Sequence, residues 1–217
     1  MARGKPKEVA LYRIKEIFYS LQGEGFHSGR ATIFIRFSGC NLWSGISTER
    51  NRALCQFCDT DFLGVDGNQG GEYDAENLAN LVLSCWPKEA PPFVVLTGGE
   101  PLLQVDDSLI ATLHASGCVV AVETNGTLPM PRGIDWITVS PKAITKLCIT
   151  TGNELKLVYP QKDLEPSQFE GMDFDHFYLQ PIDDKQNPDS VLAAVDYCLA
   201  HPRWKLSLQI HKLVGIM

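Results

Sequence analysis

The sequence predicts an α/β fold built on a mainly parallel sheet, and two features carry that expectation. Short apolar runs recur and end in polar turns: FVVL at 93–96 runs into TGGEP, CVVAV at 118–122 into ETNG, and WITV at 136–139 into SPK. Helical patterns separate several of these runs, as in sheets that present ligand chemistry at their strand ends. At 217 residues the chain falls short of a full eight-unit barrel, so a partial (β/α) barrel in a single domain, 1–217, accommodates both observations.

The elements follow in order. A first strand is expected at 13–21, ending in LQGEG. In the second, 31–37, Ile33, Ile35 and Phe37 alternate with Thr32, Phe34 and Arg36, giving one apolar face and one facing a site. Residues 41–73 read mainly as loop, with the DGNQGG run at 66–71 too rich in turn formers to continue a strand. Asp74 caps a helix whose Leu78, Leu81, Val82 and Cys85 share a face. A second helix spans 107–116 and stops at Gly117. Further strands are expected at 154–159 and 176–181. A late helix at 188–201 carries Leu192, Val195 and Leu199 as an apolar stripe, and a final strand covers 205–211.

Composition narrows the function classes. With 44% hydrophobic and 21% charged residues the chain reads as globular, and its net charge of -7 gives no basis for tight electrostatic binding of nucleic acid or an anionic membrane. There is no apolar run of membrane-spanning length, and the basic N-terminus lacks the apolar core of a signal peptide. A cytoplasmic protein is the expectation. Seven unevenly spread cysteines do not suggest a secreted disulfide framework.

Three of those cysteines stand apart. Cys40, Cys55 and Cys58 form C-x14-C-x2-C, in which the close pair and a returning third thiol can hold a metal or a metal cluster. Three thiolates suit an iron–sulfur cluster with one open iron; the same pair also suits zinc with a histidine, or a redox dithiol. Spacing alone leaves these open. Cys85, Cys118 and Cys198 sit in apolar patterns and read as buried small residues.

A longer set of motifs resolves the choice. QGEG at 22–25, RFSGCN at 36–41, CQFCDT at 55–60, TGGEP at 97–101, ETNG at 123–126, SPK at 140–142, QP at 180–181 and QIHK at 209–212 occur in one order. Together they resemble the 7-carboxy-7-deazaguanine synthase family of radical S-adenosylmethionine (SAM) enzymes. The resemblance runs from about residue 14 to the C-terminus. It departs from the common C-x3-C-x2-C radical-SAM spacing through the expanded loop at 41–54, a feature some members of this family share.

The resemblance implies a modified partial (β/α) barrel of the radical SAM type, with an expanded cluster-binding loop and usually a homodimer. It implies a 4Fe-4S cluster on Cys40, Cys55 and Cys58, with S-adenosyl-L-methionine on the remaining iron. It assigns Phe57, Gly98, Gly99, Glu100, Asn125, Ser140, Pro141, Lys142, Gln180, Pro181, Ile182 and Asp183 to the SAM site. Glu100 is expected to accept bonds from the SAM ammonium group. Substrate contacts are implied at Leu21, Gln22, Gly23, Glu24, Arg36, Thr97, Glu123, His211, Lys212 and Met217, with the Arg36 fork suited to a carboxylate.

Thr60 is implied as a Mg2+ ligand near the substrate carboxylate. The activity that follows is a carbon–nitrogen lyase converting 6-carboxy-5,6,7,8-tetrahydropterin to 7-carboxy-7-deazaguanine with ammonia release, in queuosine and 7-deazapurine biosynthesis. The implied partner is a flavodoxin- or ferredoxin-like reductant; no direct nucleic-acid or membrane contact is required. Two other readings stand beside it: a different radical-SAM reaction, and a zinc-stabilised binding protein.

Overall fold

A computed structural model describes residues 10–87, 90–183 and 188–217; the basic N-terminal segment at 1–9 lies outside them. Among the described residues nine strands form one open sheet in the order β3-β1-β2-β4-β5-β6-β7-β8-β9. They are β1 (Tyr12–Leu21), β2 (Ala31–Phe37), β3 (Gly71–Tyr73), β4 (Phe93–Gly98), β5 (Val119–Thr124), β6 (Trp136–Val139), β7 (Thr151–Tyr159), β8 (Asp173–Pro181) and β9 (Trp204–Leu206). β1 runs antiparallel to β2 and β3, and every pairing from β2 to β9 is parallel. The sheet does not close, so the barrel is partial, as its length predicts.

The alternation in β2 sorts two cores. Ile33, Ile35 and Phe37 join the large apolar cluster between the sheet and its helices, α1 (Ala75–Cys85), α2 (Asp107–Ala115) and α3 (Ser190–Ala200). Phe34 falls on the opposite face, where it joins Phe18, Phe93, Val95 and Ala121 in a smaller cluster inside the barrel. β7 shows the same division: Leu155 and Leu157 belong to the outer core, while Glu154, Lys156 and Val158 line interior spaces. Two charged positions, Glu154 and Lys156, therefore stack with Val158 on one interior strand face. That face makes the site.

Local chemistry sets the helix starts. Asp74 accepts from Asn77 N at 2.8 Å, and Asp106 accepts from Leu109 N at 2.9 Å. Asp106 also accepts from the Tyr12 hydroxyl at 2.8 Å, which ties α2 to β1. Gly117 ends α2 with φ +79°, where a side chain would be strained.

The structure adds one short helix to the loop region and corrects three expectations. STERNR forms a 3-10 helix, Ser47–Arg52, within the stretch read mainly as loop. Gly71, taken as part of a turn run, begins the edge strand β3 because β1 offers it an unpaired edge. In α3 the stripe is displaced: Leu192 and Leu199 are exposed, while Ser190 and Ala194 are buried, and the small side chain of Ala194 lets the helix approach β8 and β9 closely.

The last correction bears on the site. The expected strand at 205–211 stops at Leu206, and Ile210–Val214 forms a short helix, α4. Ser207 N still bonds Leu179 O at 2.8 Å, but Ile210 N donates to Gly23 O at 3.0 Å. The chain leaves the sheet edge here and crosses back to β1. Ser20 Oγ then donates to the Met217 carbonyl at 2.5 Å, fixing the terminal segment along the same route.

Candidate active site

The interior holds one large cavity, about 390 Å³, open at the C-terminal ends of the parallel strands. That volume lies within the ordinary range of small-molecule sites. Cys40, Cys55, Phe57, Cys58 and Thr60 form one wall, contributed by the loop after β2. All three cysteines are free thiols. Cys55 is buried, and a Cys55–Cys58 hydrogen bond pushes the Cys55 thiol pKa up and that of Cys58 down.

The loop sits so close because β4 ends in two glycines. A Cβ on Gly99 would lie 2.0 Å from Gly39 O and 2.9 Å from Cys40 Cβ; one on Gly98 would lie 2.3 Å from Phe37 O. Only glycine permits that approach. Trp43 packs edge-on against Phe62 at 5.5 Å, and Arg50 lies over the Trp43 ring at 4.0 Å while donating to the Gln56 and Cys58 carbonyls. Lys15 anchors the far end through Asp61 and Asp66, each at 2.8 Å.

Strand ends supply the next wall. Gly98, Gly99, Asn125, Ser140, Lys142, Gln180, Pro181, Ile182 and Asp183 all line the cavity. Lys142 Nζ donates to Ser140 Oγ at 2.8 Å and lies 5.5 Å from the Phe57 ring centre. Burial pulls the Lys142 pKa down, against the attraction of nearby Cys55 and Cys58. The Asn125 amide is engaged in the turn: it donates to Asn41 Oδ1 at 2.9 Å and accepts from Thr127 N at 3.0 Å.

Two residues expected at this wall lie behind it. Pro141 is buried off the cavity, its carbonyl accepting from Gln161. Glu100 is 0% exposed; its oxygens accept from Leu102 N at 3.0 Å, Thr124 Oγ1 at 2.7 Å and Asn125 N at 2.8 Å. Those bonds join the β4 end to the β5 turn, so in this structure the carboxylate braces the wall. Burial raises its pKa, although each of the three bonds acts in the opposite direction.

The floor is a charged layer. Lys156, with a side chain 5% exposed, donates to Glu24 Oε2 at 2.5 Å and lies 3.6 Å from Glu123 Oε1. Gln22 donates to Glu123 at 2.8 Å, and Gln209 to Glu24 at 2.9 Å. Burial alone raises the Glu24 pKa, but Lys156 and Gln209 outweigh it and hold the carboxyl below its ordinary value. Arg36 Nε is held by Glu16 Oε1 at 2.7 Å beside Thr97, and Leu21, Gly23, His211 and Met217 complete this side. A Cβ on Gly23 would lie 2.1 Å from His211 Nδ1, so the glycine makes room for the imidazole.

Lys212 requires the clearest reassignment. It lines the cavity, but its ammonium donates to Asp59 at 2.6 Å, Asp183 at 2.5 Å and Gln209 at 2.9 Å. Three bonds use its full donor complement. It joins the cysteine loop, the end of β8 and α4, and contributes no free donor to a ligand. Residues not singled out from sequence include Lys15, Glu16 and Gln209, the last of which stands inside the QIHK motif.

No family model matches the chain. Individual relatives do. The 7-carboxy-7-deazaguanine synthases of Bradyrhizobium diazoefficiens and Bordetella pertussis are 55% and 53% identical, each aligning over 94% of this chain and 99% of its own length. A crystal structure of QueE from Escherichia coli superposes with a TM-score of 0.67 at 26% identity, covering 93% of this chain and 95% of that one. With an open parallel sheet, three thiols on one cavity wall and relatives of this similarity, the chain belongs to the 7-carboxy-7-deazaguanine synthase family.

Proposed function

We propose that the protein is a carbon–nitrogen lyase that converts 6-carboxy-5,6,7,8-tetrahydropterin to 7-carboxy-7-deazaguanine and ammonia, working in the cytoplasm in queuosine and 7-deazapurine biosynthesis. The observation that carries this reading is one cavity, in a member of this family, that joins three free thiols to a buried layer of Arg36, Glu24, Glu123 and Lys156.

The donor set fits an iron–sulfur cluster. Cys40, Cys55 and Cys58 face a common space and are not committed to disulfides. A 4Fe-4S cluster binds its thiolates at separate irons, so it asks for a wall of cysteines facing a cavity. The Lys142 ammonium beside Cys55 and Cys58 favours the thiolate forms. When bound, the cluster and SAM supply the one-electron chemistry that opens the reaction.

The chain's own residues position and enclose. Gly98 and Gly99 let the cysteine loop close against β4 and would line the SAM site, where Ser140, Lys142 and Asn125 offer polar groups and the 180–183 segment forms the adjoining edge. Arg36 keeps the outer nitrogens of its fork for the substrate carboxylate, because Glu16 takes only Nε. Glu24 and Glu123 accept from pterin N–H groups while sharing Lys156. Thr60 offers an oxygen for Mg2+ beside that carboxylate. The concave site would hold the substrate against these groups and orient the reacting carbon. A flavodoxin- or ferredoxin-like protein delivers the electron, and the enzyme acts as a homodimer.

The test is anaerobic iron–sulfur reconstitution followed by turnover with SAM, Mg2+, reductant and the carboxytetrahydropterin. The expected outcome is protein carrying iron and sulfide that forms the deazaguanine product. SAM cleavage without product would overturn the pterin assignment. Stoichiometric zinc without sulfide in anaerobically purified protein would overturn the radical chemistry as well.

A further inference from the structure

Beneath the charged layer lies a carboxylate that the proposed reaction does not use. Glu154 is 3% exposed and sits on β7 two residues before Lys156, on the same interior face. Its Oε2 accepts from Phe26 N at 2.9 Å. A Cβ on Gly25, whose φ is +63°, would lie 2.1 Å from Glu154 Oε1. The carboxyl group is therefore pressed against the backbone of the 22–30 loop. That loop plugs the base of the barrel: Phe26 stacks on His176 at 4.4 Å and on Trp136 at 4.9 Å, and His27 packs on Phe93 at 4.8 Å.

The same loop delivers Gln22 and Glu24 to the cavity above. Its backbone has two side-chain tethers from the parallel strand region and its exit: Phe26 N to Glu154, and Gly25 N to Ser207 Oγ at 2.9 Å. We propose that Glu154 is a positioning residue for substrate binding, holding the 22–30 loop so that Gln22 and Glu24 stay aimed into the pocket. This rests on the reading of the cavity as the pterin site.

The surroundings favour the neutral acid at this position. Lys156 is committed to Glu24 and Glu123, and among the described residues no cation makes an ion pair with Glu154. The groups facing it are Lys156 on its own strand, Glu123 on β5, Thr138 on β6, His176 and Tyr178 on β8, and Glu24 and His27 on the loop. Burial holds the His27 pKa down at about 4, so that ring adds no charge near neutrality. Burial pushes the Glu154 carboxyl up to about 7, against the attraction of Lys156 and the bond from Phe26 N. A folded pKa above the unfolded 4.5 means that the stabilising contribution is full below about pH 4.5 and is lost as pH rises through about 7.

Two substitutions and two readouts test the assignment in the reconstituted full-length enzyme. Glu154→Gln keeps an acceptor for Phe26 N and stays neutral. Glu154→Ala leaves that buried amide without a partner. The expected result is about a tenfold loss of Phe26 amide protection in the Ala variant, none in α2, and normal protection in the Gln variant. KM for the carboxytetrahydropterin should rise about tenfold for Ala with iron and sulfide content retained, and stay within about twofold for Gln.

Unchanged Phe26 protection in the Ala variant, or a KM for Ala equal to that of wild type, would overturn the proposal. If the Ala variant does not fold, Glu154→Leu, which fills the buried space but offers Phe26 N no acceptor, takes its place, and unchanged protection there overturns the proposal. If wild-type enzyme makes no product from the pterin, the function assigned above fails, while amide protection still reports whether Glu154 holds the loop.

Discussion

Lys156 Nζ donates to Glu24 Oε2 at 2.5 Å across a gap of 132 residues in sequence, and the pair forms the centre of the cavity floor. The lysine also lies 3.6 Å from Glu123, so one cation serves two carboxylates. Removing it in Lys156→Met leaves both acids with little compensation. The expected cost is about 3–5 kcal/mol of folding stability, measured by chemical denaturation. The Glu24 carboxyl is held below its ordinary value, so its contribution is present above the unfolded pKa and disappears as pH falls through the folded one. The Met variant should therefore lose stability less steeply in acid than wild type.

Lys212 makes a contrasting case. Its side chain is 38% exposed and its carboxylate partners Asp59 and Asp183 are 42% and 57% exposed, so solvent screens the pairs. Lys212→Ala should cost no more than about 1 kcal/mol of global stability. Hydrogen exchange in α4 should nevertheless accelerate, because the lysine is where the cysteine loop, β8 and α4 meet. Unchanged exchange at 209–217 would show that the three contacts do not hold the helix.

How much of this was legible in the sequence depends on the range of the interaction. The β2 alternation gave both the outer core and the inward position of Arg36, because strand parity is a local property. The motif glycines were legible through the resemblance of TGGEP to the family pattern. The alternation in KLSLQIH suggested a strand, but the sheet ends its pairing at Leu206, and a bond to Gly23 draws the chain away. The destination of that bond is set by tertiary structure. Lys212 shows the same limit: its acidic partners lie 153 and 29 residues away, so the motif located the lysine near the pocket but not its three-way tie. Glu100 was legible as part of TGGEP, while its bonds to Thr124 and Asn125 depend on the pairing of β4 with β5.

Glu100→Gln tests that bracing role. The amide nitrogen of glutamine would meet a donor where a carboxylate oxygen now accepts, in a fully buried place. A loss of about 1.5–3 kcal/mol in denaturation experiments is the expected outcome. Stability equal to wild type would mean that the carboxylate does not brace the β4 and β5 ends.

Gly99→Ala should be damaging for a steric reason. The added methyl would come within 2.0 Å of Gly39 O, a backbone atom that cannot rotate aside. The expectation is a loss of about 1–3 kcal/mol together with poor cluster retention after reconstitution, read as iron per chain. Normal iron content and stability would indicate that the cysteine loop can stand off from β4.

Substituting each of Cys40, Cys55 and Cys58 by serine should abolish intact 4Fe-4S content, while Cys118→Ser, buried in the outer core, should retain it. A full cluster in any of the first three variants would remove that cysteine from the ligand set.

The most direct measurement is the stoichiometry of anaerobic turnover: 7-carboxy-7-deazaguanine by product mass and ammonia by enzymatic assay, from the same reaction with 6-carboxy-5,6,7,8-tetrahydropterin. The account predicts one ammonia for each deazaguanine formed, dependent on SAM and on all three cavity cysteines. Consumption of the pterin without ammonia, or SAM cleavage with the pterin returned unchanged, would contradict it.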